Sequence, residues 1–118
     1  MTKNELKQRT KNFALRIIKL VDFLPKTTSG RAIGNQLIRS GTSVGANYRA
    51  ACRGRSKADF IAKLGIVVEE VDESAFWLEL IIEGELISQQ LVEPLLKEAN
   101  ELTAIFASSL KSLKKIIN

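Results

Sequence analysis

Histidine is absent from this 118-residue sequence, and cysteine, tryptophan and tyrosine occur once each. Without histidine the chain lacks the commonest general base and the Glu-x-x-His metal ligands of ferritin-like bundles. The lone Cys52 excludes an internal disulfide and a metal cage built from several cysteines. The hydroxyls of Ser40, Thr42 and Ser43 have no base in the sequence to activate them. These absences predict a protein that is not an enzyme and that uses no metal or cofactor.

Long apolar runs are also missing. No stretch of about 18 uninterrupted apolar residues is present to span a bilayer, and the opening MTKNELKQRTK is unlike a signal peptide. Basic residues of the first segment have no opposing exposed aromatic face, which disfavours a membrane-surface role. The sequence therefore predicts a cytoplasmic protein without a membrane partner, and its length predicts one domain over residues 1–118.

Charge is distributed unevenly along the chain. Residues 1–57 contain 13 Lys and Arg residues and 2 acidic residues, a charge of +11, whereas residues 58–118 contain 5 Lys and 11 acidic residues, a charge of −6. The basic half can attract nucleic acid, or it can pair with the acidic half of a neighbouring copy. Composition alone leaves both readings open.

Apolar residues recur at helical spacing in the first, third and last segments. Pro25 ends the first helix, Ser56 and Asp59 form a capping-box pattern that starts a helix running to about Leu86, and the last helix starts within residues 88–94. The predicted core positions are Leu6, Phe13, Ile17, Leu20, Leu24, Phe60, Leu64, Val67, Val68, Val71, Ala75, Leu78, Ile82, Val92, Leu95, Ala99, Leu102, Phe106, Leu110, Leu113 and Ile117. With connections near Pro25, Gly54 and Ser88, the pattern predicts an all-α, antiparallel, up-down-up-down four-helix bundle.

The segment SGTSVGANYRAACRGRS, residues 40–56, is rich in glycine and could be a phosphate-binding loop or part of a helix. A phosphate-binding loop would follow a strand and carry Lys-Ser or Lys-Thr, and neither is present. On a helix over residues 28–53 the small residues share one face, where another backbone or a large side chain can approach closely. This face consists of Gly30, Gly34, Gly41, Gly45 and Cys52. We therefore predict a close-packed second helix.

The other face of the second helix carries a row of arginines about 33 Å long at helical rise. The predicted nucleic-acid-binding residues are Arg31, Arg39, Arg49, Arg53, Arg55 and Lys57. A row of this kind can follow an RNA or DNA backbone through charge and shape, without reading bases. In the alternative reading, the protein is a purely structural or protein-interaction module whose arginines pair with acidic residues of neighbouring protomers.

A second apolar row lies on the far side of the third helix, among Glu69 and Glu73. It consists of Ala62, Ile66, Trp77 and Leu80. Exposure of this row would leave an unusually large apolar patch on a monomer, so we predict that it packs against another copy of the chain.

The run RSGTSVGANYRAACRGRSKADFIAKLGIVVEEVDESAFWLELI, residues 39–81, resembles the family of four-helix bundle proteins first found in intervening sequences of bacterial 23S ribosomal RNA genes. The segments SVGANYRAA and FWLEL carry most of this resemblance. The resemblance implies an antiparallel bundle that assembles as a homopentamer. That family includes the accessory protein of diversity-generating retroelements, which binds nucleic acid and partners a reverse transcriptase. No catalytic residue is carried over.

Overall fold

The computed structural model describes residues 1–117 and the side chains of residues 1–116. Its four helices are α1 (Lys3–Val21), α2 (Thr28–Cys52), α3 (Lys57–Glu83) and α4 (Gln89–Ile117), and this part of the chain contains no strand. Consecutive helices contact each other, and α4 contacts α1. The prediction of an all-α, up-down-up-down four-helix bundle is confirmed. Within residues 1–117, no helix is both long and apolar enough to cross a membrane.

Side chains cap the first three helices, and the caps of α2 and α3 lie at the predicted boundaries. Thr2 and Glu5 form a capping box at α1, and the Thr27 hydroxyl accepts a hydrogen bond from the Gly30 amide at α2. At α3 the Ser56 hydroxyl accepts from the Asp59 amide at 3.1 Å, as the sequence predicts. The Asp59 carboxylate accepts from the amide of Arg55 at 3.3 Å, whereas in a capping box it would accept from the amide of Ser56.

The end of α3 lies earlier than the predicted boundary near Leu86. The helix stops at Glu83, and Glu85 adopts a left-handed conformation with φ 55°. The Leu86 amide then donates to the Ile81 carbonyl at 2.9 Å, and the Glu85 amide donates to the Ile82 carbonyl at 3.0 Å. These two bonds satisfy carbonyls at the helix end in the Schellman arrangement. The sequence obscures this end because glutamate occupies the position that usually takes glycine.

One apolar core receives side chains from all four helices. Every core position predicted in α1, and those from Val92 to Phe106 in α4, are buried. The half-buried exceptions are Phe60, Val68, Ile82, Leu110 and Leu113. In α3, Ser74 and Ile81 are buried although they were not predicted, because α3 packs against both α2 and α4 and its buried arc is wide. The predicted core side chain of Ile117 lies outside the described residues.

A charged fork joins α1 to α4. Arg9 donates through Nη2 to Glu98 Oε1 at 2.7 Å and through Nε to Glu98 Oε2 at 2.8 Å, and Nη2 also donates to Glu101 Oε2 at 2.9 Å. The side chains of Arg9 and Glu98 are 24% and 15% exposed, so this bidentate pair is partly shielded from water. The hydrogen bond from Arg9 lowers the pKa of Glu98 below its ordinary value, and burial opposes this shift.

Candidate functional site

The glycine face of α2 is packed against α1. A Cβ atom placed on Gly41 would lie 2.8 Å from Cγ1 of Ile17, and one on Gly45 would lie 3.3 Å from the Thr10 hydroxyl oxygen. The prediction that small residues turn inward and allow close packing is confirmed. The residues they receive are Thr10 and Ile17 of α1 and Leu24 of the α1–α2 turn, rather than an aromatic side chain. The opposite face of α2 is therefore directed outward.

The predicted basic row lies on this outward face and continues into the α2–α3 turn. Arg31, Arg49, Arg53, Arg55 and Lys57 are all exposed. None of them forms an ion pair with any residue in 1–117. Their charges are thus available to solvent or to an anionic partner.

Arg39 differs from the rest of the row because acidic residues of α3 already bind it. Its Nη1 lies 3.4 Å from Oε2 of Glu70, and its Nη2 is paired with Glu73. Sequence periodicity placed Arg39 correctly on the outer side of α2 but could not show which residues of α3 lie opposite. The partners of Arg39 belong to its own chain, not to a neighbouring protomer.

Two lysines of α1 join two arginines of α2 around one cleft. This basic cleft has a volume of about 410 Å³. Its lining residues are Asn4, Lys7, Gln8, Lys11, Arg49 and Arg53. No carboxylate lines the cleft, so four cations face it without a compensating acid. Like charges held this close repel each other, and a bound polyanion relieves that repulsion.

The cleft brings together residues that are about 40 positions apart in sequence. Lys7 and Lys11 are separated by one helical turn on α1, and Arg53, which caps the end of α2, follows Arg49 by four residues. The prediction found the arginines but did not include the lysines. The available signal was that both lysines lie off the apolar stripe of α1. Periodicity gives the face of each helix but not which faces meet across a helix pair.

Arg31 lies in a separate groove nearer the opposite end of α2. That groove is also lined by Asp22, Lys26 and Asn35, so it has mixed charge. Arg31 and Arg49 are 18 residues apart, or about 27 Å along the helix. The predicted row therefore divides into a basic cleft at one end, a paired Arg39 in the middle and a mixed groove at the other end.

A second cavity, the end pocket, opens at the end of the bundle where α1 and α3 begin. It has a volume of about 650 Å³ and is lined by residues of all four helices, including Lys3, Tyr48, Phe60 and Leu113. The Lys3 ammonium lies 5.0 Å from the centre of the Phe60 ring, within cation–π range. Tyr48 is buried and its pKa is raised, mainly by burial and then by a hydrogen bond with Cys52.

The outer side of α3 differs in part from the predicted apolar row. Ala62 and Ile66 are exposed and Leu80 is half-buried, but Trp77 packs partly against its own core and its Nε1 is buried without a hydrogen-bond partner within the described residues. Phe76, which was not predicted, is 50% exposed, and its ring centre lies 5.1 Å from that of Trp77 in a T-shaped arrangement. Ile66 and Phe76 therefore provide the most exposed large apolar groups on this surface.

Among the described residues, the acidic side chains and the single thiol do not gather into a metal site. Within residues 1–117, no three His, Cys, Asp or Glu side chains come together in a way that could hold a metal ion. The acidic residues nearest the arginine row, Glu70 and Glu73, are bound to Arg39.

Comparison with known proteins identifies relatives of known structure. The model of the family described as "23S rRNA-intervening sequence protein" matches residues 2–108. A crystal structure of a protein of unknown function from the S23 ribosomal protein family, from Bacteroides thetaiotaomicron VPI-5482, is 38% identical, with a TM-score of 0.85 over 94% of this chain and 99% of that one. No curated protein matches the chain.

Proposed function

The chain belongs to the 23S rRNA-intervening sequence protein family, and we propose that it is a non-catalytic, oligomeric, nucleic-acid-binding protein of the cytoplasm. The basic cleft binds the phosphate backbone of RNA or DNA. Binding of this kind depends on charge and shape, because phosphate contacts carry no direct sequence information. A role as adaptor or accessory protein for a partner enzyme follows from the resemblance to the retroelement accessory protein, and a reverse transcriptase as that partner stays a prediction.

The observation that supports this proposal most strongly is the composition of the basic cleft. Four cations from two helices line it, and no acid does. Each phosphate neutralised by Lys or Arg releases counterions, and this release favours binding at low salt. Arg55 and Lys57 extend the exposed positive charge beyond the cleft. Arg39 is not part of the proposed binding site, because its guanidinium group is already paired with Glu70 and Glu73.

Charge reversal in the cleft tests the proposal. Fluorescence anisotropy with labelled RNA and single-stranded DNA at about 50 and 200 mM salt should show binding that weakens steeply with salt. The Arg49→Glu/Arg53→Glu variant should lose most of this binding. The Lys97→Glu/Lys114→Glu variant is the control, because it changes the net charge equally through exposed residues of α4. No binding at low salt, or equal losses in the two variants, would overturn the proposal.

We also propose that the protein assembles through α3. Its outward surface, the α3 strip, consists of Ala62, Ile66, Phe76 and Leu80 with the acidic residues Glu69, Asp72, Glu79 and Glu83. A symmetric contact between two α3 strips would place carboxylates against carboxylates. The α1–α2 face carries exposed Leu15, Ile18 and Ile38, about a turn or more from the basic cleft, and these apolar groups complement those of the strip.

This complementarity favours a head-to-tail assembly. Ile17 packs on Gly41, and Ser40 accepts a hydrogen bond from Ser74 at 2.9 Å, so these residues lie at one height in the bundle. Leu15, Ile18, Ile38 and Phe76 lie within about a turn of that height, and Ile66 lies about two turns from it. Repeated head-to-tail contacts form a ring where the rotation between neighbours closes, as in the homopentamer that the resemblance implies.

Light scattering tests the proposed assembly. A Phe76→Asp change in the α3 strip should produce monomers, whereas Leu91→Asp, which changes a 55% exposed leucine of α4, should not. An unchanged assembly in Phe76→Asp would rule out the α3 strip as an interface. The structural-module alternative predicts in addition that reversing Arg49 disrupts the oligomer, whereas our proposal predicts loss of nucleic-acid binding from an intact one.

A further inference from the structure

The end pocket lies beside the basic cleft, on the other side of the same helix end. Cys52 and Gly54 line the pocket, and Arg53 between them lines the cleft. Lys57 then returns to the pocket wall. Exposed cations therefore run from the cleft through the α2–α3 turn to the pocket, along Arg53, Arg55 and Lys57.

The pocket combines apolar and cationic groups. Leu6, Tyr48, Phe60 and Leu113 provide apolar and aromatic surface. Lys3 and Lys57 contribute positive charge, and Ser108, Ser109 and Ser112 of α4 contribute hydroxyls. No carboxylate lines the pocket. Its volume of about 650 Å³ is in the range of small-molecule sites.

Phe60 is the aromatic ring best placed to meet a ligand. It is half-buried, and the Lys3 ammonium lies 5.0 Å from the centre of its ring, so stacking of a flat group on this face requires the Lys3 side chain to move aside. Tyr48 is only 3% exposed and its ring packs against Phe106 at a centroid distance of 5.1 Å. Tyr48 thus forms the floor, and Phe60 offers a ring on which a flat group can stack.

We propose that the end pocket receives an unpaired nucleobase of a strand held in the basic cleft, with the base stacked on Phe60 and its phosphate beside Lys3 and Lys57. This inference rests on the proposed nucleic-acid binding and adds a preference for single strands to it. Stacking on an aromatic side chain tolerates any base sequence. A paired base reaches the pocket only after leaving its duplex, which costs a few kcal/mol.

Substitutions of Phe60 test this proposal. Phe60→Leu keeps an apolar side chain but removes the ring, and Phe60→Tyr keeps the ring. Phe23→Leu is the control, because Phe23 is an exposed aromatic residue that follows α1 at the opposite end of the bundle. Thermal unfolding of each variant checks that the fold is retained.

Anisotropy at about 50 mM salt is then measured with labelled oligouridylate and with the same oligonucleotide paired to oligoadenylate. In Phe60→Leu we expect the single-strand affinity to fall about fivefold to a hundredfold, with duplex affinity unchanged. Phe60→Tyr and Phe23→Leu should match the original protein for both probes.

Two results would overturn the pocket assignment and leave the basic cleft standing. One is unchanged single-strand affinity in Phe60→Leu, and the other is an equal loss for single strand and duplex. If neither probe binds the original protein, both proposals fail. If both probes bind as tightly to Arg49→Glu/Arg53→Glu as to the original protein, the basic cleft is not the binding site.

Discussion

The first two helices and the last two are packed by different means. Helices α1 and α2 meet where Gly41 and Gly45 of α2 receive Ile17 and Thr10. Helices α3 and α4 contribute large aliphatic and aromatic side chains to the core, among them Leu64 and Phe106. Buried glycines of α2 therefore admit α1, whereas neither α3 nor α4 contains a buried glycine.

This difference bears directly on the candidate site. Because the glycine face draws α1 close to α2, the lysines of one helix and the arginines of the other border the same cleft. The outer surface of α3 instead exposes four acidic residues, together with Ile66 and Phe76. Close packing of the first pair is thus what assembles four cations from distant parts of the sequence.

The same substitution in the two halves should have opposite effects. Gly41→Ala brings a Cβ within 2.8 Å of the buried Ile17 side chain, and overpacking of this kind costs about 1–3 kcal/mol. At Gly65 of α3 no heavy atom lies within 4 Å of the added Cβ, so alanine should stabilise the helix by about 0.5–1 kcal/mol. Urea unfolding at one protein concentration measures both changes. Equal changes in stability would contradict the account of α1–α2 packing.

The charged fork between α1 and α4 ties the two halves together. Glu98→Gln should lower the free energy of unfolding at neutral pH by about 1–2 kcal/mol, because it removes the charge that Arg9 binds. The pKa of Glu98 is lowered in the folded state, so its stabilising contribution is complete at neutral pH. That contribution is lost as the pH falls from about 5 through the lowered pKa.

Urea unfolding at neutral pH and at about pH 3, below the ordinary glutamate pKa, checks this prediction. The difference between Glu98→Gln and the original protein should shrink at acid pH. Glu93→Gln, an exposed change on the same helix, should behave like the original protein throughout. A Glu98 effect of the same size at both pH values would show that its charge does not stabilise the bundle.

The smallest expected change in stability is in the turn between α3 and α4. Glu85 has a left-handed backbone conformation, which costs a non-glycine residue about 1 kcal/mol. Glu85→Gly should raise the free energy of unfolding by up to about that amount, less the entropy lost by a more flexible unfolded chain. Glu83→Gly, in the last turn of α3, should instead destabilise the helix. If Glu85→Gly also destabilises, the turn does not have the proposed geometry.

The sequence predicts the helices and the faces of α2 well because one helical period governs both. Gly34, Gly41 and Gly45 fall on one face of α2. Because no strand precedes this helix, a phosphate-binding loop is excluded and close packing explains the glycines. The family resemblance and the measured similarity agree on the fold. The predicted end of α3 was wrong because Glu85 takes a left-handed conformation that glycine usually adopts. The predicted core of α3 was incomplete because this helix buries a wider arc than one apolar stripe.

The site itself is only partly predictable. Arg49 and Arg53 are identified by periodicity, but the contribution of Lys7 and Lys11 depends on how α1 is positioned along α2. The neutralisation of Arg39 likewise depends on where Glu70 and Glu73 of α3 lie relative to α2. Such relationships between helices are set by packing in three dimensions. A single sequence contains no direct signal for them.

The most direct test of the central claim compares two arginines of the same helix. Arg49 lines the basic cleft, whereas Arg39, one of the same row, is held by acids of α3. The slope of the logarithm of RNA affinity against the logarithm of salt concentration should therefore become shallower by about one in Arg49→Ala and stay unchanged in Arg39→Ala. Equal slopes for the two variants, or a larger change in Arg39→Ala, would contradict the assignment of the cleft as the polyanion site.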